Sequence, residues 1–416
     1  MDFRDVKLSH FKKDCEELHA MSAALRQDPL TGLNVALLDH DRSQVQKAAS
    51  QLDAQGVRYE LETVSDRIRN HSRLMIVYLL VSTTLNGGTK ILIEQANRLS
   101  SMGHDVLIFS HCPRPGWIDV KAGYFLVHPE SDLSRITPKA DAVIAGYWSL
   151  LPQALKIDAP LRYHFSQGDV DVFEFDAHGQ FHQQAIRAAY SLPVRILTVS
   201  GVMKQEIRRN FGRGSVKIPN AIGDGFLEPF EKDTGRGPPV ILLSGNDRYA
   251  FKGHDAILDA LRYLHIMGYR FSVCWVTQQE LQQDYSAYGF PVVQHVLPGE
   301  RELVSLYRNA DIFICGSFYE SFGLPAVEAM ASGAAVVTSA HGGADEYARD
   351  GENCLLFRPG NVVELAERVQ RLLDAPELRQ RLCAAGFETA RRFTWHRSIR
   401  ALERELGKPV IQAVRV

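Results

Sequence analysis

Two glutamates, Glu320 and Glu328, stand eight positions apart around the run Phe322-Gly323-Leu324-Pro325. Gly323 lets the backbone approach a ligand closely. Pro325 suits the first turn of a helix, where its missing N–H leaves nothing unsatisfied. The free N–H groups of that turn carry a partial positive charge, and a phosphate is their natural guest. A carboxylate in such company does not serve the phosphate. Glu320 and Glu328 are suited instead to accept hydrogen bonds from sugar hydroxyls, which are good donors. Each alone has a plainer account: Glu328 stabilises a helix N-terminus by its charge, and Glu320 can be a solvated loop charge. Their combination with Gly323 and Pro325 is far more specific.

These residues need elements to hold them. An apolar run at Asp311–Cys315 reads as the preceding strand, Pro325–Ala331 as a helix and Ala335–Ser339 as a strand. Upstream, Val240–Ser244 and Phe271–Val276 read as strands, Asp255–Ile266 and Arg301–Asn309 as helices. An earlier series opens at Leu74–Val81, a continuous apolar run of the kind buried on both faces of a sheet. Asn86-Gly87-Gly88 then begins a helical pattern through Ile91, Leu92, Ala96 and Leu99, which Gly103 ends. Asp105–Ser110, Ala142–Ala145, Arg162–Ser166 and Ile196–Val199 continue the strands. Strands alternating with helices imply βαβ units and parallel sheets. The expected fold class is α/β: two tandem, doubly wound Rossmann-like domains facing across a cleft, with ligands beyond the carboxyl ends of the strands.

The expected organisation has four parts. Residues 1–70 form a mostly helical extension, with Cys15, Leu18, Met21, Ala24 and Leu25 at helical spacing. Residues 71–233 and 234–392 form the two domains, the second opened by the linker Thr234-Gly235-Arg236-Gly237-Pro238-Pro239. Residues 393–416 are read as a helix, with Trp395, Ile399, Leu402 and Leu406 on one face, packing back on the first domain.

Composition narrows the class. The chain has 416 residues, 45% hydrophobic and 23% charged, and a net charge of −2, a globular mixture with no global pull toward nucleic acid. None of its six cysteines lies at C-x-x-C spacing, which argues against a zinc site or a disulfide framework and for a reducing cytoplasm. No apolar run is long enough to span a bilayer. Lys204, Arg208, Arg209, Arg213 and Lys217 form a local basic stretch, read as a solvated helix face or, alternatively, as a peripheral contact with anionic lipid at the inner membrane face.

The stretch Gly316–Ala331 closely resembles the donor-site signature of the family-4 glycosyltransferases of the GT-B fold. The resemblance continues through Ala334–Thr338, Gly342–Glu346 and Asp350–Leu356. It implies that Glu328 binds a nucleotide ribose and that Glu320 contacts the donor sugar. Main-chain amides around Ser321, Phe322, Gly323 and Leu324 would approach the sugar and diphosphate. In that family an arginine and a lysine neutralise the diphosphate. Lys252, before Gly253, matches the lysine; the usual arginine position holds Asn246, and Arg248 stands two residues later as its replacement. Asn86-Gly87-Gly88-Thr89 resembles the family's glycine-rich loop, with a plain tight turn as the equal alternative. Tyr163–Phe173 is similar to a bacterial rhamnosyltransferase-like subset, and points to Gln167 and Asp169 on the acceptor side. His164, inside the strand, can point away from the site.

The resemblance implies a retaining transfer of a hexosyl or deoxyhexosyl group from a nucleoside-diphosphate sugar to an acceptor hydroxyl. It implies no cofactor and no obligatory metal. A saccharide or lipid-linked acceptor and bacterial surface polysaccharide or glycoconjugate synthesis are the family's usual setting. Retention by double displacement needs a carboxylate close to the anomeric carbon, and none is identifiable; a front-face route fits better. Two other readings stay open: a GT-B-fold epimerase or phosphorylase, since fold does not fix function, and a noncatalytic sugar-nucleotide binder or assembly subunit. Residues 1–70 are expected to serve packing or homo-oligomerisation.

Overall fold

The alternating apolar runs fold as two parallel sheets, as seen in a computed structural model of the chain. It describes residues 3–63, 73–168, 170–232, 237–282, 285–408 and 410–416. The chain divides into two units: residues 1–199, 203–218 and 399–416 form the first, residues 200–202 and 219–398 the second. Of the expected linker, residues 234–236 lie outside the described residues, as does Asp169.

In the first unit the strands are β1 (Tyr59–Thr63), β2 (Met75–Leu80), β3 (Asp105–Ser110), β4 (Gly123–Leu126), β5 (Ala142–Ala145), β6 (Leu161–Ser166), β7 (Arg195–Thr198) and β8 (Val216–Lys217). Strands β2–β8 make one sheet in the order β4-β3-β2-β5-β6-β7-β8. Every neighbouring pair in it is parallel. Ile76 to Leu80 are buried without alternation, as a central strand covered by helices on both faces requires. The order reverses direction between β2 and β5, the kind of switch point where doubly wound sheets open a crevice.

The second unit holds β9 (Val240–Ser244), β10 (Ser272–Thr277), β11 (Val292–Val296), β12 (Ile312–Cys315), β13 (Ala335–Ser339) and β14 (Leu355–Phe357). Their order is β11-β10-β9-β12-β13-β14, again parallel throughout. Its switch point falls between β9 and β12. A core of Ile241, Leu243, Trp275, Ile314, Val337 and Leu355, with helix side chains such as Leu258 and Leu261, fills the sheet's surroundings.

Four parallel strands, β4, β8, β11 and β14, have no counterpart in the expectations. All four are short and stand at sheet edges, and β11 has no fully buried residue. The tail is also corrected. Its helix covers Trp395–Leu406, and Ile411–Arg415 is a strand, β15, not a continuation of the helix. It pairs antiparallel with β1. β15 has five residues, of which Ala413 alone is buried, a pattern too short to stand out beside a long amphipathic helix.

The N-terminal helices are held by their own unit. Cys15 and Leu18 are fully buried, and Ser22 Oγ lies 2.9 Å from Ser191 Oγ, at the C-cap of the helix Gln180–Tyr190. Cys15 and Leu18, on the apolar stripe expected to serve packing or homo-oligomerisation, are thus covered within the chain. Asn34 holds the C-terminal strand from both sides: its Oδ1 accepts from Ala413 N at 2.7 Å, and its Nδ2 donates to Ala413 O at 3.2 Å. Leu30, Leu33, Leu52 and Ala413 form the small core beneath.

Charge supplies the second fastening. Arg213 donates from Nε and Nη2 to the two oxygens of Asp39, at 2.8 and 3.0 Å, and both side chains are buried. The same guanidinium donates to the carbonyls of Tyr190, Leu192 and Val194. Gly214 passes so close that a Cβ would lie 2.9 Å from Asp39 O. Arg208 pairs with Asp41 and Arg209 with Glu206. The basic stretch is therefore largely occupied by acidic partners, and not a free cationic face. Arg213→Met strands a buried carboxylate, so it should lower the stability of the first unit by about 3–5 kcal/mol. Urea denaturation of the variant and the parent chain measures this.

Candidate active site

The switch point of the second unit is built on two glycines. After β9 the chain runs Gly245-Asn246-Asp247-Arg248-Tyr249-Ala250-Phe251-Lys252-Gly253, and after β12 it runs Gly316-Ser317-Phe318-Tyr319-Glu320. The loops cross backbone on backbone at Gly253 and Gly316. A Cβ on Gly253 would lie 2.2 Å from Gly316 O, and one on Gly316 would lie 2.9 Å from Gly253 O. Gly253 also has φ +66°, which a side chain adopts only under strain. Phe318 N donates to Phe251 O at 2.7 Å, and the rings of Phe251 and Tyr319 stack at 4.8 Å.

This crossing delivers Lys252 to Glu320. Lys252 Nζ donates to Glu320 Oε1 at 2.5 Å, and Ser317 Oγ donates to the same oxygen at 2.9 Å. Burial pushes the Glu320 carboxyl up, but the Lys252 ammonium, the His341 ring and the two donated bonds outweigh it and hold it below the ordinary range. Burial likewise disfavours the charged lysine, and Glu320 more than restores it, so Lys252 sits above its usual value. The result is one fixed cation beside one fixed carboxylate at the carboxyl ends of β9 and β12.

Glu320 leads into the helix Leu324–Ala331. Gly323 caps it with φ +92° and ψ +52°. A Cβ there would meet Tyr347 Oη at 2.7 Å and His341 Cε1 at 3.1 Å, so the turn admits glycine alone. Pro325 stands in the first turn, as its lack of a donor allows. The Phe322 side chain is buried against Tyr347 and Phe393. Ser321 and Leu324 are half-buried on either side. Glu328, a turn further on, is buried. The Tyr307 hydroxyl bonds it; burial first and the Glu328 carboxylate second raise that phenol well above its ordinary range.

Two expected residues do other work. Asn246 is buried, and its Oδ1 accepts from Arg248 N at 2.9 Å, closing a side-chain turn. Arg248 is exposed, and the structure does not bring it to the Lys252–Glu320 pair. His341 was not anticipated. It follows β13, is buried, and its ring packs beneath Gly323. Burial disfavours its charge, but Cys315 and Glu320 raise it above the ordinary imidazole range. Burial pushes the Cys315 thiol up, and His341 brings it below its usual value. A histidine directly before Gly342-Gly343 at a strand end was the available signal.

In the first unit, Asn86 caps the helix Gly87–Ser101, its Oδ1 accepting from Thr89 N at 2.8 Å. Gln167 Nε2 donates to Gly88 O at 2.8 Å, so Gln167 ties the end of β6 to the Gly87-Gly88 loop after β2. His164 is buried and bonded to Ala145 O at 3.3 Å, and burial lowers its pKa to about 4. It belongs to the sheet interior.

The sequence profile of the glycosyl transferases group 1 matches residues 227–389, which include Lys252, Glu320, Glu328 and His341. The glycogen synthase of Mycobacterium tuberculosis is 34% identical over 372 residues, covering 75% of this chain and 88% of the relative. The chain belongs to the group 1 glycosyltransferases. This glycosyltransferase also resembles an MMP alpha-(1->4)-mannosyltransferase of Mycolicibacterium hassiacum, 30% identical over 226 residues, 52% of this chain and 54% of that one. Its fold is GT-B. The sucrose-phosphate synthase of Thermosynechococcus elongatus superposes with a TM-score of 0.66 at 18% identity, covering 79% of this chain and 97% of that one. Anabaena Alr3699/HepE, solved with UDP-glucose, gives 0.65 at 16% identity, covering 80% and 99%. Among the described residues no helix is long and apolar enough to cross a membrane.

Two outcomes test this geometry in the glycosyltransferase. Gly253→Ala meets a carbonyl at 2.2 Å, whereas Gly351→Ala, at a comparable φ of +72°, meets nothing within 4 Å. Thermal unfolding should show Gly351→Ala costing about 1 kcal/mol and Gly253→Ala about 3 kcal/mol or more. The second concerns pH. A thiolate is the reactive form of cysteine, and a lowered Cys315 pKa moves its alkylation to lower pH. Iodoacetamide labelling of Cys315, followed by peptide mass spectrometry, should begin below the ordinary thiol range and move to higher pH in His341→Gln.

Proposed function

We propose that this glycosyltransferase moves a hexosyl or deoxyhexosyl group from a nucleoside diphosphate to an acceptor hydroxyl, with retention of anomeric configuration. The observation that carries the reading is the Lys252–Glu320 pair, fixed at the β9/β12 switch point directly before the glycine-capped helix 324–331. Anabaena Alr3699/HepE, solved with UDP-glucose, lends support for a uridine-linked donor. The diphosphate seats on the N–H groups of residues 322–324, and the helix dipole favours its charge. Lys252 stabilises the leaving phosphate as negative charge develops, the step where a preorganised cation contributes most. Glu320 accepts from the sugar hydroxyls, and Glu328 from the ribose, with Tyr307 holding the Glu328 carboxylate.

Retention follows from a front-face course. The bond from the anomeric carbon to the phosphate oxygen breaks, and the acceptor oxygen bonds to that carbon from the same side. The departing phosphate takes the acceptor's proton. These residues supply the charge stabilisation without calling for a metal or cofactor. Gln167 positions the Gly87-Gly88 loop rather than acting on the substrate. The acceptor is a saccharide or lipid-linked hydroxyl, in bacterial surface polysaccharide or glycoconjugate synthesis.

A transfer assay over a panel of nucleoside-diphosphate sugars and acceptors tests the reading. Lys252→Ala should lower kcat by about 10²–10³, and Glu328→Ala should chiefly raise the donor KM. NMR of the product should show the donor's anomeric configuration. An inverted product, or Lys252→Ala and Glu320→Ala proteins with unchanged turnover, would end it.

A further inference from the structure

A second cluster of chemical side chains lies in the first unit. Asp171, His178 and His182 each offer one ligand-type atom, and these atoms lie within 4.8 Å of one another. Asp171 follows β6 and is 3% exposed. His178 ends a single 3-10 turn, Phe175–Ala177, and His182 lies in the first turn of the helix Gln180–Tyr190. The two imidazoles stack with centroids 4.4 Å apart and planes 11° apart. Both present Nε2 to the same carboxylate oxygen: His182 Nε2 is 2.8 Å and His178 Nε2 is 3.3 Å from Asp171 Oδ1.

The other carboxylate oxygen is already committed. Trp148 Nε1 donates to Asp171 Oδ2 at 2.8 Å, and the Tyr147 hydroxyl donates to the same atom. These donors orient the carboxylate and leave Oδ1 turned toward the histidines, as outer-shell partners orient a metal ligand. No described lysine or arginine pairs with this buried carboxylate, although buried charges are ordinarily paired or bound to a metal. His178 Nε2 is itself buried and has no hydrogen-bond partner. Neutral donors and the His182 ring satisfy the hydrogen bonds of this carboxylate, and a cation would balance its charge with the unbonded His178 Nε2 as a further ligand.

We propose that Asp171 Oδ1, His178 Nε2 and His182 Nε2 bind a divalent transition metal of borderline softness, with zinc the best match to a two-imidazole, one-carboxylate set. Ligand bonds of about 2.0–2.2 Å in tetrahedral geometry set ligand atoms about 3.3 Å apart. The nitrogen–oxygen separations of 2.8 and 3.3 Å are close to that, and the two stacked rings must turn out of parallel for both Nε2 lone pairs to meet one ion. Three protein ligands leave the fourth position to water. The ion joins the segment after β6 to the start of the helix 180–190, and so fixes residues 171–182 as one rigid piece. It lies outside the donor-site chemistry of Lys252, Glu320 and Glu328, and stands or falls independently of the proposed reaction.

The full chain, without an affinity tag, tests the site through metal content and cobalt absorption. Chain purified from zinc-supplemented medium should hold one more equivalent of zinc by plasma mass spectrometry than the His178→Gln/His182→Gln variant. After chelation, cobalt(II) should restore one equivalent and give the intense visible absorption of a tetrahedral ion. Tyr147→Phe, which removes only an orienting donor, should weaken cobalt binding by about 10–100-fold. The cobalt spectrum of the parent chain decides the matter even where a variant folds poorly. A weak octahedral spectrum, or equal metal content in parent and double variant, would overturn the proposal: protons, not a metal, would then balance Asp171.

Discussion

One steric condition governs the donor end of the second unit: two peptide backbones must touch where Gly253 meets Gly316. Any side chain at either position would push the loops apart, and Lys252 would no longer reach Glu320. The contact sits at the switch point because adjacent strands β9 and β12 send their connections in opposite directions there, leaving room for two loops to meet. The ion pair inherits its rigidity from that crossing. Ser317, His341 and the glycine-capped helix then set the field in which the pair sits. Burial alone would neutralise each group, and their mutual proximity keeps both charged.

The first unit solves a different problem. Its sheet is flanked by material from both chain ends, which must be attached without a large apolar interface of its own. A buried guanidinium does this by joining Asp39 to three carbonyls that end the segment before β7. Arg195 and Glu405, both buried and 2.7 Å apart, repeat the device for the C-terminal helix. Such pairs are costly to desolvate and costly to break, so they fix a unique docking position more than they add net stability.

How much of this was legible follows from the range of each interaction. Local signals were clear. The Phe-Gly-Leu-Pro core with its two glutamates marked the donor-end loop and helix, and the apolar runs at 74–81, 240–244 and 335–339 marked central strands. Long-range pairings were not. Nothing near Arg213 announces Asp39, and nothing near Gln167 announces that its amide belongs to Gly88. Arg248 was expected to replace a missing cation because of its nearness in sequence, yet the Asn246 turn leaves it on the surface. His341 has only its place before Gly342-Gly343 to mark it, because a single histidine after a strand has no periodicity. β15 was absorbed into the helix before it, because a ribbon strand has no partner to be seen until β1 is placed beside it.

That ribbon also bears on how the chain comes into being. β1 ends at Thr63, but its partner among the described residues begins at Ile411. A nascent chain therefore makes the N-terminal helices first and must hold their exposed edge open while both sheets are synthesised. At roughly 5–20 residues per second, this wait lasts on the order of tens of seconds. Asn34 and the small core around Leu33 and Leu52 can be completed only after Ala413 leaves the ribosome. A strand made late thus closes a structure begun long before it, and the first unit is finished out of the order of its sequence.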